Sequence, residues 1–355
     1  MIKKSLDFIR KSGEKIGIIY GHDCDSIASA AIIFKLMKKL NKKPKLIVST
    51  LNYSVTEKEI EKVKKSKLDS CFILDIGNVP RKAIEELNKS VPIAIIDHHI
   101  PKRFKVSCYI NPRLENPRAY IPVSYLVWKM YSKFFDPRDT DWIAAIGVLG
   151  DHGVEENKDL FLFLKKNKKE LIKGKLTTEY LFKNTLLGKI TKMINSSSIV
   201  KKRVGVLYST KKLIKSKSYL DVLNDEKLKS WNQIVEKELK KIENDFEKHK
   251  IIWGKILFYI VKSKYPIKST FAGSLPRKFK NKIILIGQKI GRRYEFSVRR
   301  GENCNVDLSL FVKNLSRMVK NLEGGGHPSA SGFRVPEKEI DELIEKLKKR
   351  GKDLL

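Results

Sequence analysis

Residues 93–99 read IAIIDHH, four apolar residues running straight into an aspartate and two histidines. An apolar run without alternation suits a strand covered on both faces, as in parallel sheets. The pattern recurs upstream. GIIY at 17–20 leads through Gly21 and His22 to Asp23 and Asp25, and CFIL at 71–74 leads to Asp75. Between these runs lie helical patterns from Ser26 to Leu40 and near 56–66, a strand-like KLIVSTL at 45–51, and a helix opened near its start by Pro80. Short strands alternating with helices predict an α/β fold with a mostly parallel, doubly wound sheet. Ligands of such sheets bind beyond the carboxyl ends of the strands, where all three acidic positions fall.

Further along, residues 120–200 are expected to be mainly helical, with IPVSYLVWKMYSKFF and TTEYLFKNTLLGKITKMI as amphipathic runs and a polar break from Asn195 to Ser198. One long polar-faced helix is predicted over 222–249. The last hundred residues change pattern. KILFYIV, KIILIG and RRYEFSV are strand-like, DLSLFVKNLSRMVKN is helical, a glycine cluster follows, and EKEIDELIEKLKKR closes as a helix. The expected organisation is a catalytic layer at 1–195 with its helical extension, a helical connector at 196–250, and a smaller α/β domain at 251–355.

At 355 residues and 41.0 kDa the chain exceeds what one core usually carries. Its 41% apolar content excludes a wholly disordered protein. No apolar stretch is long enough to span a bilayer, and charges interrupt the N-terminal segment too often for a secretory signal, so a cytoplasmic protein without membrane contact is expected. Cys24, Cys71, Cys108 and Cys304 lie far apart, which excludes a cysteine-based zinc motif. The formal charge of +34 points to a polyanion, and nucleic acid rewards such a charge through counterion release. Lysine dominates, 59 to 15, so the arginines are the sharper clue. Arg292, Arg293, Arg299 and Arg300 cluster around YEFSV, where Ser297 and Arg299 share one face of a strand. Guanidinium suits bidentate phosphate contact.

Asp23, Asp25, Asp75 and Asp97 converging at one sheet edge would repel one another and raise their pKa values. A cation removes that penalty. If the chain is still extended past Tyr20, Asp23 and Asp25 face one side. Carboxylates and imidazoles without thiolates suit Mn²⁺ or Mg²⁺, and there are ligands enough for two ions. A further acid, Asp151, stands between Gly150 and Gly153 in GVLGDHG. Five of the six histidines (His22, His98, His99, His152 and His327) lie beside these acids or in the late glycine cluster, while His249 sits in a helix. In GGGHPSASGF at 324–333, Gly324, Gly325 and Gly326 offer backbone N–H groups to an anion and His327 adds a donor.

These residues resemble the DHH phosphoesterases that carry a C-terminal DHHA1 domain, a family that includes RecJ-type single-strand nucleases, nanoRNases and phosphoadenosine-phosphate phosphatases. Asp97-His98-His99 is similar to the eponymous motif, HDCDSIASA to motif one, LDIG to motif two, GDHG to motif four and GGGHPSASG to the DHHA1 signature. Asn111-Pro112 also fits. The resemblance implies that Asp23, Asp25, Asp75, His98 and Asp151 hold two Mn²⁺ ions, with Asp75 bridging and Asp97 behind them. It also implies that His99 touches the substrate phosphate, and that Ser297, Arg299, His327 and its glycines hold phosphate from the C-terminal domain. Two positions depart from the pattern. Gly21 stands where relatives place a histidine or acid, leaving His22 as an alternative metal ligand, and Ser26 stands where glycine is common. The implied function is an exonuclease on single-stranded DNA or RNA, of the short archaeal type. The alternatives are a phosphatase or nanoRNase for small nucleotides and a non-catalytic replisome scaffold. Replisome proteins are the implied partners besides nucleic acid.

Overall fold

The computed structural model describes residues 2–50 and 54–350, so the last residue of KLIVSTL, Leu51, lies outside the described residues. The chain divides into two compact units, Met1–Asn232 and Gln233–Leu355. In the first, β1 (Lys15–Tyr20), β2 (Lys43–Val48), β3 (Ser70–Leu74), β4 (Ile93–Ile96) and β5 (Cys108–Ile110) form one sheet in the order β2-β1-β3-β4-β5. Every pairing is parallel. The strands are wholly apolar at the centre because both faces are covered, and every residue of β3 and β4 is buried. Helices Glu57–Lys65 and Arg81–Asn88 close one face through Ile60, Val63, Ile84 and Leu87, which pack on Ile19, Ile73 and Ile95. Helix Cys24–Lys39, buried on most of its surface, links β1 to β2 and packs against helices Val123–Tyr131, Asp141–Gly150 and Leu186–Lys215. After β2 the chain returns to the other side of β1 to make β3. The strand order therefore reverses between β1 and β3, the place where open α/β sheets bind ligands.

The second unit holds a six-stranded mixed sheet. Its strands are β6 (Ile251–Trp253), β7 (Ile256–Val261), β8 (Ile283–Ile290), β9 (Arg293–Arg300), β10 (Glu323–Gly326) and β11 (Ala330–Pro336), ordered β10-β11-β9-β8-β7-β6. Of its pairings, β7 with β8 is parallel and the rest are antiparallel. Helices Leu308–Met318 and Ile340–Arg350 cover one face through Leu308, Phe311, Val312, Leu315, Leu343 and Leu347. Asp307 caps the first of these by accepting from the amides of Ser309 and Leu310.

Several expectations need correction. The polar tract at Asn195 to Ser198 does not break its helix, because Ser196, Ser197 and Ser198 donate their hydroxyls to carbonyls three or four residues back. The discontinuity falls instead at Lys202, whose φ of 49° and ψ of −137° interrupt Leu186–Lys215. The long helix predicted over 222–249 is two helices, Tyr219–Leu223 and Glu226–His249. Asp225 lies between them and accepts from the Leu228 amide. The glycine cluster forms a strand, β10. His327 and Ala330 exchange backbone hydrogen bonds, so the ladder turns the Gly325 backbone toward Gly332 and those of Gly324 and Gly326 the other way, and the amides do not all face one anion. Among the described residues no helix is long and apolar enough to cross a membrane.

Candidate metal centre

The first acidic pair does not continue the strand. The chain enters its helix immediately after Asp23, which is the N-cap (φ −84°, ψ 179°) and accepts from the Ser26 amide at 3.0 Å. Asp25 therefore sits in the first helical turn, and the two carboxylates do not share a face of an extended segment. The Asp25 carboxylate reaches across to the start of helix Val123–Tyr131. It accepts from the amides of Val123 at 2.7 Å and Ser124 at 2.9 Å, where the helix dipole favours an anion.

Asp75 follows β3 directly and adopts a left-handed φ of 54°, a backbone conformation retained where the surroundings demand it. Its Oδ2 accepts the Ser26 hydroxyl at 2.6 Å. Ser26 thus has a part in the site, holding the carboxylate that lies at its centre. After β4, Asp97 accepts from His99 Nδ1 at 2.7 Å, and His98 turns its Nε2 between two acids, 3.4 Å from Asp75 Oδ1 and 3.6 Å from Asp151 Oδ2. Asp151 ends helix Asp141–Gly150. One glycine and one asparagine lock this arrangement. A Cβ on Gly77 would stand 2.6 Å from the His99 ring, and Asn111 donates its amide to the His99 carbonyl at 2.9 Å.

Asp25, Asp75, Asp97 and His98 are 2% to 5% exposed. Burial first, then the neighbouring Asp75 carboxylate, pushes Asp23 well above the usual carboxylate range. Burial also raises Asp25 to about 7 and Asp151 to about 6, with repulsion from Asp75 adding to both. For Asp75 burial acts upward too, but the close His98 imidazole, with His99 beyond, holds it below its ordinary value. The imidazoles are held protonated. Burial opposes this, yet Asp151 and Asp75 raise His98 to about 10, and the Asp97 contact raises His99 to about 9.

Three buried atoms of this cluster lack a hydrogen-bond partner among the described residues: Asp75 Oδ1, Asp151 Oδ2 and His98 Nδ1. Toward His98 Nε2 the two oxygens have only long contacts, and a buried anionic oxygen without a short hydrogen bond is expensive. The ligand atoms of Asp75, His98 and His99 lie within 4.8 Å of one another, as do those of Asp25, His98 and Asp151. Donors about 2.1 Å from a common ion stand about 3 to 4 Å apart, so these two overlapping groups fit divalent cations with oxygen and imidazole ligands.

His22 is not brought into either group. Its Nε2 meets the Ser49 carbonyl at 2.8 Å, and burial lowers its pKa. Sequence reasoning missed one residue of the cluster, Tyr120, and one beside His22, Arg203. Tyr120 donates its hydroxyl to the Asp151 carbonyl at 2.8 Å and sets its ring edge-on to His98 at 5.5 Å. Arg203 donates to the Val48 carbonyl from Nη2 and keeps a buried Nε without a partner among the described residues. Neither lies in a motif, and nothing in their neighbours in sequence marks them.

In the second unit, Ser297 and Arg299 do share a face of β9, where their partners on β11 are Gly332 and Ala330. The Ser297 hydroxyl meets that of Ser269 at 2.7 Å, and Arg299 is half-buried. His327 begins the turn from β10 to β11, with its amide donating to the Ala330 carbonyl.

Comparison with known proteins agrees with this geometry. The family model "DHH family, N-terminal domain" matches residues 15–150, and the "DHHA1 domain" model matches residues 261–353. No curated protein matches the sequence. Among solved structures, RecJ in complex with Mn²⁺ from Thermus thermophilus gives a TM-score of 0.72 at 13% identity, over 98% of this chain and 54% of that one. This chain thus spans about half the length of that RecJ. A structure described as the DHH domain of a member of a ribosomal-protein family gives 0.78 at 20% identity, covering 98% and 90%. A pGpG-specific phosphodiesterase from Vibrio cholerae gives 0.52 at 11%, covering 95% and 98%. At these identities the likeness is one of fold. The two family models, matched in order over most of the chain, and the acid and imidazole cluster place this protein in the DHH phosphoesterase family, with a DHH domain followed by a DHHA1 domain.

Proposed function

We propose that the chain is a metal-dependent phosphodiesterase that degrades single-stranded DNA or RNA from an end to mononucleotides. The observation that carries this reading is the pair of buried carboxylate oxygens, Asp75 Oδ1 and Asp151 Oδ2, that converge on His98 Nε2 at the switch point of the sheet with only long ion-pair contacts to it, 3.4 and 3.6 Å. Asp23, Asp25, Asp75, His98 and Asp151 would hold two Mn²⁺ or Mg²⁺ ions. When bound, the ions supply Lewis acidity at the phosphate and a hydrolytic nucleophile at neutral pH.

The chain's own groups have separate tasks. Asp75, clamped at Oδ2 by Ser26, keeps Oδ1 directed at the His98 side. Asp97 orients His99 through Nδ1 and keeps it cationic, which suits a contact with a phosphate oxygen. The Val123 and Ser124 amides fix Asp25, so no reorganisation is needed when substrate arrives. In the second unit Ser297, Arg299, Gly324, Gly325, Gly326 and His327 supply a phosphate-binding surface. The charge of +34 favours a polymer over a mononucleotide.

Incubation with Mn²⁺ and end-labelled single strands of about 30 nucleotides, several site lengths, tests the reading. Mononucleotides should appear, with far less from duplex, and labels at either end report polarity. The fold likeness to a pGpG-specific phosphodiesterase supports a second reading. Faster turnover of dinucleotides or phosphoadenosine phosphate than of the long strand would favour a small-nucleotide enzyme. A scaffold that binds replication proteins without hydrolysis is disfavoured by the intact acid cluster.

A further inference from the structure

A groove separate from the acid cluster lies between the outer edge of β2 and the second half of helix Leu186–Lys215. It is an open groove of about 530 Å³. Its floor is apolar, made by Phe34, Leu46, Leu207 and Ile214. Val204, one turn before Leu207, is 73% exposed and prolongs the strip. Lys211 and Lys215 stand beside the floor and Lys45 borders it from the strand, all exposed, with the Lys45 ammonium turned to the Ser66 hydroxyl at 2.6 Å. Among the described residues none of the three has a carboxylate at ion-pair distance.

The strand contributes its backbone as well. β2 ends the sheet. The Lys43 amide donates to Glu14 and the Ser49 amide to Tyr20, so the odd residues of β2 face β1 and the backbone of Pro44, Leu46 and Val48 turns outward. Arg203 takes the Val48 carbonyl, and Pro44 has no N–H to offer. The Leu46 amide and the Pro44 and Leu46 carbonyls remain along the groove, in the arrangement that an added strand uses.

We propose that this groove docks an extended acidic segment of a partner protein. Its apolar side chains would meet the floor, its carboxylates Lys211 and Lys215, and its backbone the edge of β2. Charge selects this occupant. A second copy of the chain, at +34, would set lysine against lysine. A nucleic acid strand would satisfy the lysines and leave the apolar floor in water.

The test is fluorescence anisotropy with the full chain and short labelled peptides. One alternates leucine with glutamate, one alternates leucine with lysine, and one is all glutamate; a DNA oligonucleotide serves as competitor. The leucine–glutamate peptide is expected to bind, and the other two peptides are not. The double variant Lys211→Glu with Lys215→Glu should weaken binding at least tenfold while leaving hydrolysis and melting temperature unchanged. Leu207→Ser should weaken it similarly, with the surface double variant guarding against a folding defect. No binding of the alternating peptide, equal binding of the all-glutamate peptide, full displacement by DNA, or unchanged affinity in the double variant would each overturn the proposal.

Discussion

Asp25, Asp75, Asp97 and His98 are buried at the rim of the first unit's sheet, whereas Gly324, Gly325 and Gly326 in the second unit are exposed and Arg299 is half-buried. The two regions house charge in opposite ways. Buried carboxylates repel one another in a poorly screened interior and need a cation that the polypeptide does not supply in full, since two imidazolium groups stand among five acids, Asp23, Asp25, Asp75, Asp97 and Asp151. An exposed basic and glycine-rich strand stays solvated until an anion replaces the water. Loss of a group in the first region should therefore act as a switch. Loss in the second should act as a graded weakening.

Asp75→Ala gives the largest effect. Hydrolysis with Mn²⁺ should fall by on the order of 10³-fold or more, read as mononucleotide release. A variant retaining activity within a few-fold would remove the metal centre from the mechanism.

Next comes the response to metal and pH. Folded, Asp25 and Asp151 keep their protons to about pH 7 and 6, against a usual value of 3.8. Stability from these raised carboxyls is thus present below about pH 4 and is lost as pH rises through their folded values. His98 and His99, raised to about 10 and 9, contribute stability that is present below about pH 6.5 and is lost only as pH rises through those higher values. A divalent ion replaces the protons, so the rise in Tm on adding Mn²⁺ should be larger near pH 8 than near pH 5. At a concentration of a hundred times Kd it amounts to about 2.7 kcal/mol. A shift independent of pH would break the contrast between the two regions.

Arg299→Ala and His327→Ala should leave that Mn²⁺ shift unchanged and raise KM, each by about 1.5 to 3 kcal/mol in binding if it meets a phosphate. The salt dependence of single-strand binding should flatten by about 0.7 per contact removed. An altered metal response with unchanged KM would reverse the assignment of roles.

The smallest and most selective effect separates two adjacent glycines. Gly326 has a φ of 149°, and a Cβ there would lie 2.6 Å from Ser331 Cα, so Gly326→Ala should destabilise the β10–β11 edge by about 1 to 3 kcal/mol in thermal melts. A Cβ on Gly325 meets nothing within 4 Å. Gly325→Ala should therefore melt normally, and any rise in its KM reports close approach of substrate to β10.

Much of this was legible in the chain. IAII, CFIL and GIIY read as buried parallel strands because an uninterrupted apolar run has no other stable setting when flanked by helices. The acids fell at their carboxyl ends, and the motif spacing brought the family with them. Other features did not show. The serines at 196–198 look like a helix break until their hydroxyls find carbonyls within the same helix. Short strands such as β5 and β6, three residues each, carry too few positions to display a period. The glycines of β10 signal a loop in isolation, and only β11 beside them makes a strand.

Sequence by itself determined the residue types, their order and the strand ends on which they fall, because hydrophobic periodicity and turn chemistry are local. Tertiary structure alone decided that Asp25 would be pinned by the start of a helix about a hundred residues later, that Ser26 would hold Asp75, and that His22 would turn to Ser49. Those choices depend on distances between groups remote in the chain, which no local pattern encodes.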